Sequence, residues 1–133
     1  MKKIVVINGH PDSESFNYAL ADSYIKGVKA SGGSVEQINI ADLEFNPSLK
    51  HGYRKRTELE PDLLDAIEKI KNSDHLVWVF PMWWFGYPAI MKGFVDRVFL
   101  PGIMFEYVEG KPFPKKLLKG KSARIIITAD SPS

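Results

Sequence analysis

Cysteine is absent from this 133-residue chain, so no disulfide, thiolate nucleophile or cysteine-ligated metal enters its chemistry. Histidine is scarce, at three residues, and His51 and His75 have no second histidine or cysteine at ligand spacing, so no metal is expected. Charge of one sign is also in short supply. The formal net charge is +2, too small for the concentrated basic face that nucleic-acid binding uses. No apolar run approaches the ~20 residues needed to cross a bilayer, so membrane insertion is not expected. Neither G-x-G-x-x-G nor G-x-x-x-x-G-K followed by Ser or Thr occurs, which removes the usual dinucleotide and nucleoside-triphosphate cradles. The chain opens on a strand-like run instead of a signal peptide, and a cytoplasmic location is the resulting expectation.

What is present is an ordinary globular composition, 44% hydrophobic and 26% charged, with length for one domain spanning 1–133. Ile4 to Ile7 is a β-branched run stopped by Asn8 and Gly9, the pattern of a strand buried on both faces. Ser15 precedes a helical stretch reaching about Ser31, with Phe16, Leu20 and Val28 on one side and Gly32–Gly33 at its end. Val35 to Ile40 reads as a second strand. A polar stretch from Asp42 to Glu60 separates it from a helix opened by Pro61 and running to about Asn72, with Leu63, Leu64, Ile67 and Ile70 facing inward. Leu76 to Phe80 is a third apolar strand. Pro88 starts a helix to about Phe99 with Ile90, Phe94, Val95 and Val98 as its apolar face and Lys92, Asp96 and Arg97 as its polar one. Ala123 to Thr128 reads as a fourth strand, after a Gly/Pro/Lys-rich connection. Apolar strands alternating with helices predict a three-layer α/β domain around a parallel sheet.

In such sheets ligands sit beyond the carboxyl ends of the strands, where strand order reverses. With the flavodoxin-like order 2-1-3-4-5 that point lies between strands one and three, and the loops after those strands are the two most unusual in the chain. The first, Asn8 to Asn17, carries His10, Ser13, Ser15 and Asn17 into a helix N-terminus. That is either a capped tight turn or a cradle for an anion, and the residues weigh about equally for each. The second runs Phe80-Pro81-Met82-Trp83-Trp84-Phe85-Gly86-Tyr87-Pro88. Its aromatics either pack on neighbouring elements or a second subunit, or form a stacking wall for a flat ligand. A phosphate cradle beside a stacking wall suits a flavin.

His10-Pro11, Ser15-Phe16-Asn17, Phe80-Pro81, Trp84-Phe85-Gly86, Pro88-Ala89, Lys92-Gly93 and Asp96-Arg97-Val98 together resemble the NAD(P)H:quinone oxidoreductase family, from residue 3 to the chain's end. That family includes quinone reductases, modulator-of-drug-activity proteins and ancillary oxidoreductases of potassium-efflux systems. The resemblance implies a flavodoxin-like fold, FAD or FMN as cofactor, NAD(P)H as electron donor, a homodimer, and two-electron ping-pong reduction of a quinone-like acceptor. By position it implies that His10, Ser15, Phe16 and Asn17 contact the flavin's phosphate and ribityl portion. Pro81, Met82, Trp84 and Phe85 would border the isoalloxazine, with Trp84 and Phe85 also lining the pocket shared by nicotinamide and quinone. Thr128-Ala129-Asp130-Ser131-Pro132 resembles a further flavin-binding loop of the family, making Thr128 and Asp130 candidates, and Tyr107 is a candidate substrate residue. The family's fifth strand is missing after Ser133, so the sheet order expected is 2-1-3-4, with an open edge at Ile125 to Ile127. A truncated product, a fragment and a partner that completes the sheet all fit. The same loops serve an alternative role, a flavin-binding subunit docked on a potassium-efflux transporter. Lys111, Lys115, Lys116, Lys119 and Lys121 read as a solvated basic stretch or an attractor of NADPH phosphate.

Overall fold

The structure, a computed structural model, describes residues 2–130. Four strands, β1 (Lys3–Asn8), β2 (Ser34–Asn39), β3 (His75–Pro81) and β6 (Ser122–Thr128), form one parallel sheet in the order β2-β1-β3-β6. This is the expected order, with β6 as the strand read fourth from the sequence. Three helices cover it: α1 (Phe16–Ala30), α2 (Pro61–Asn72) and α3 (Ala89–Val98). The Lys-rich connection holds what periodicity did not predict, a small antiparallel hairpin of β4 (Phe105–Glu106) and β5 (Lys115–Lys116). Two residues per strand are too few to leave a period in the sequence.

Alternation along the strands sorts the core into two layers. Val5, Ile7, Leu76 and Phe80 meet α2 and α3 on one face. Val6, Val77 and Val79 meet Ala21 of α1 on the other. Both faces of β1 and β3 are therefore apolar, as a central parallel strand requires. On α2 the buried residues are Leu63, Ala66, Ile67 and Ile70, the spacing of a single helical stripe. Leu64 lies off that stripe and is half exposed, so Ala66 takes the inward position expected for it. Phe16 departs in the same way: its side chain is 68% exposed, because α1 docks through Asn17, Ala21 and Val28 instead. α1 ends where Gly32 adopts φ +81°, a left-handed turn that glycine makes at little cost.

The polar face expected for α3 is interrupted by Arg97, which is 1% exposed. The β2–α2 loop folds back across α3 and supplies the partners. Arg97 donates to the carbonyls of Asn46 (2.5 Å) and Glu58 (2.9 Å) and forms a 2.6 Å ion pair with Glu60. The guanidinium hydrogen bond, aided by the Asn46 amide, holds the Glu60 carboxyl down to about 2 from its ordinary 4.5. Gly93 lets the same loop approach: a Cβ there would stand 2.8 Å from the Cα and carbonyl oxygen of Pro47. On the last strand, Ile126 packs toward α1 while Ile125 and Ile127 are 61% and 52% exposed. Among the described residues β6 has β3 as its one partner strand, so its outer edge is open.

Candidate functional site

The sheet brings the carboxyl ends of β1 and β3 side by side, with Asn8 paired to Val79 and the Gly9 amide donating to the Val79 carbonyl at 2.8 Å. β6 closes the row, since the Met82 amide donates to the Thr128 carbonyl at 2.7 Å. Three segments that are remote in sequence thus share one ledge.

The first segment is a chain of local caps. Asn8 is fully buried and its Oδ1 accepts from the His10 amide at 3.0 Å. The His10 Nδ1 accepts from the Asp12 amide at 2.9 Å, which puts the ring proton on Nε2 and leaves that N–H as a donor. Ser15 caps α1, its hydroxyl accepting from the Tyr18 amide at 3.4 Å. The first intrahelical bonds are those of Tyr18 and Ala19 to the Ser15 carbonyl. The amides of Phe16 and Asn17 therefore precede the helical ladder and face outward with the positive end of the helix dipole. No acidic residue lies in the first turn of α1. Asn17 is 3% exposed, and its Oδ1 accepts from the Thr128 hydroxyl at 3.1 Å. The Nδ2 atoms of both Asn8 and Asn17 are buried without an acceptor among the described residues. A buried donor left unpaired costs about 1–3 kcal/mol, so two beside one helix N-terminus ask for an acceptor from outside. The Tyr18 hydroxyl is also buried without a partner among the described residues. Burial, then Asp42 and Asp12, pushes that phenol above its ordinary value, so it stays protonated.

The second segment is a tight turn. Trp83 and Gly86 exchange amide-to-carbonyl bonds of 3.0 and 3.1 Å. The central residues are Trp84 at φ 54° and Phe85 at φ 60°. Two positive φ values in succession are usually given to Asn-Gly or Gly-Gly, and large side chains there cost roughly 1–2 kcal/mol each. The turn nevertheless holds two aromatics, and leaves Trp84 95% and Phe85 92% exposed. Neither packs on the core formed by the described residues. Trp83 does pack: it meets His10 edge-on, ring centroids 5.3 Å apart, and so joins the two loops. Pro81 is buried at the strand end and Met82 is 38% exposed beside the turn.

Of the residues expected at the site, the ledge gathers His10, Ser15, Phe16, Asn17, Pro81, Met82, Trp84, Phe85 and Thr128. The same exposure that took Phe16 out of the core puts it at this rim. Asp130 is exposed at the end of the described residues, and Ser131 and Pro132 lie outside them. Tyr107 meets Phe105 edge-on, ring centroids 5.3 Å apart, beside the β4–β5 hairpin, and its side chain is exposed. Asn8 and Trp83 are the residues that the site-by-site reading passed over. Asn8 ends an apolar strand where a polar residue must find partners, which was the available signal. Among the described residues no group of three or more His, Cys, Asp or Glu could hold a metal, and no helix is long and apolar enough to cross a membrane.

A flavin suits this donor set. Outward helix amides, the His10 Nε2–H and the Asn17 amide match a phosphate and polyol, and the exposed Trp84–Phe85 turn matches a flat ring. The site is a shelf, open on the solvent side.

The profile of the flavodoxin-like fold matches residues 2–133. The chain is similar to NAD(P)H dehydrogenase (quinone) 1 of Cavia porcellus, 27% identical over 96% of this chain and 53% of that protein. It is similar also to an uncharacterized NAD(P)H oxidoreductase of Haemophilus influenzae, 30% identical over 96% of this chain and 64% of the relative. Among solved structures, Smu.1420 of Streptococcus mutans aligns with TM-score 0.76 and 30% identity over 98% of this chain and 70% of the other. The chain spans little more than half to just under two thirds of the length of those two sequence relatives. Its fold, sheet order and the match along its length place this chain in the flavodoxin-like fold family, among relatives of the NAD(P)H:quinone oxidoreductases.

Proposed function

We propose that this chain is the flavin-binding part of an NAD(P)H oxidoreductase that reduces quinones or similar acceptors by two electrons. The observation that carries the reading is the Trp84–Phe85 turn, strained and bare in solvent beside a helix N-terminus with an orphaned Asn17 amide. A flat, anionic ligand would cover the two rings and supply the missing acceptor in one step.

In this reading the amides of Phe16 and Asn17, the Asn17 side chain and His10 Nε2–H hold the phosphate end. Met82, Trp84 and Phe85 present the plane on which the ring lies. When bound, the flavin supplies the hydride chemistry, and the protein supplies orientation and charge. The chain's own residues do the rest. The turn excludes water from one face, and the helix dipole offsets negative charge near its end. One shelf serves NAD(P)H and the acceptor in turn, the arrangement of a ping-pong cycle. The reading includes a cytoplasmic setting and a homodimer, in line with the resemblance.

The test is a titration of the purified chain with FMN, FAD and riboflavin, followed by quinone-dependent oxidation of NADH and NADPH. FMN or FAD should bind more tightly than riboflavin, and Asn17→Asp should erase that preference by placing a carboxylate against the phosphate. Absence of flavin binding at tens of micromolar, or riboflavin binding as well as FMN, sinks the reading. The transporter-subunit alternative keeps the same two loops, so turnover with a quinone is what separates the roles.

A further inference from the structure

A cavity of about 330 Å3 opens between residues 49–59 of the β2–α2 loop and residues 100–103, which follow α3. It shares no lining residue with the shelf. Leu49, Leu59 and Ile103 give it apolar walls, Tyr53 supplies a ring, and Lys55 and Arg56 stand at it. Neither basic side chain forms an ion pair among the described residues. Of the two acids that end the loop, Glu60 is committed to Arg97, and Glu58 is exposed and does not line the cavity. A second observation points the same way. Thr57 also lines the cavity, and its hydroxyl is buried without a hydrogen-bond partner.

The wall is held in place before any ligand arrives. Arg97 fastens the loop at Asn46, Glu58 and Glu60, and the Pro47 contact with Gly93 closes it on α3. A preformed, mostly apolar cavity of this size with a few convergent polar groups is what small-molecule sites are made of.

We propose that this cavity is a second ligand site, taking a small amphipathic anion: an apolar body about the size of a naphthalene ring with a single carboxylate or phosphate. The apolar body lies against Leu49, Leu59 and Ile103. The anionic head meets the guanidinium and ammonium groups of Arg56 and Lys55, and the Thr57 hydroxyl donates to it. Charge-assisted bonds of this kind are roughly twice as strong as neutral ones, so the head dominates selectivity. The proposal is independent of flavin binding, because the two sites share no residue.

The experiment is amide NMR of the full chain titrated separately with 2-naphthylacetate, 2-naphthyl phosphate and the neutral 2-naphthaleneethanol. Both anions should saturably shift the amides of Gly52, Tyr53, Thr57, Gly102 and Ile103, each at least tenfold more tightly than the alcohol. The tighter of the two identifies the head group as carboxylate or phosphate, and either order supports the site. Lys55→Gln/Arg56→Gln should bring the anions to the alcohol's affinity while leaving flavin titration unchanged. Ile103→Trp should fill the cavity and abolish the shifts. Equal affinity for acid and alcohol, shifts confined to Trp83 through Tyr87, or no saturable shift by millimolar concentrations overturns the proposal.

Discussion

Arg97 and the Trp84–Phe85 turn reverse the usual placement of their residue types, and the two reversals end differently. The guanidinium is buried at 1% exposure, yet the same chain folds a loop over it and supplies two carbonyls and a carboxylate to its two terminal nitrogens, leaving Nε alone unpaired among the described residues. The two aromatics are above 90% exposed, held by a turn that costs strain, and the described residues offer them no cover. A polar group in the core that finds its partners inside the molecule is architecture. Apolar groups in solvent that find none among the described residues are left free to meet a surface from outside. The orphaned amides of Asn8 and Asn17 fall on the second side of that division, next to the turn.

The largest expected effect tests the first half of this contrast. Arg97→Ala leaves the Glu60 carboxylate and two carbonyls without their donor, and should cost about 3–5 kcal/mol in urea unfolding. A loss under 1 kcal/mol would show that the strap across α3 is not needed for stability. The second half is tested by Trp84→Ala/Phe85→Ala. We expect flavin affinity to fall by about 10- to 100-fold as stacking area is lost, with stability within about 0.5 kcal/mol of the parent. Unchanged affinity would make the turn an interface feature and remove it from the site.

A sharper version replaces the two aromatics with the residues the turn geometry prefers. Trp84→Asn/Phe85→Gly should raise stability by about 1–2 kcal/mol by relieving the positive φ values while still losing flavin. Stability gained together with function lost would be the signature of strain kept for a ligand. Failure to stabilise would show that the strain is offset elsewhere in the fold. The remaining effect is electrostatic and is read from the pH dependence. Glu60 has a folded value near 2 against 4.5 ordinarily, so the native state binds its proton less readily than the unfolded chain. Its contribution is complete above 4.5 and is lost as pH falls toward 2. Glu60→Gln should flatten that part of the acid-unfolding curve, and an unaltered curve would refute the assignment.

The α/β class was legible in the sequence, because buried parallel strands are unbroken apolar runs alternating with helices, and the sheet order followed from the flavodoxin-like resemblance. Ile4 to Ile7 and Leu76 to Phe80 sit at the centre of the sheet for that reason. The candidate loops were legible as well, since composition marks them. What could not be read was the sense in which particular side chains point. Leu64 and Phe16 satisfy a helical period yet face solvent, because the buried stripe is set by the element packed against it. The hairpin beside which Tyr107 meets Phe105 was too short to announce itself.

The amino-acid order alone determined the layers, the two loops that meet at the carboxyl edge and the aromatic content of one of them, through local propensity and hydrophobic period. Tertiary structure decided the rest. It buried Arg97 by bringing Glu60 to it from 37 positions away, and it left Trp84 and Phe85 uncovered on a left-handed turn. Burial and exposure at those positions depend on contacts between segments distant along the chain, and no local pattern encodes which segments meet.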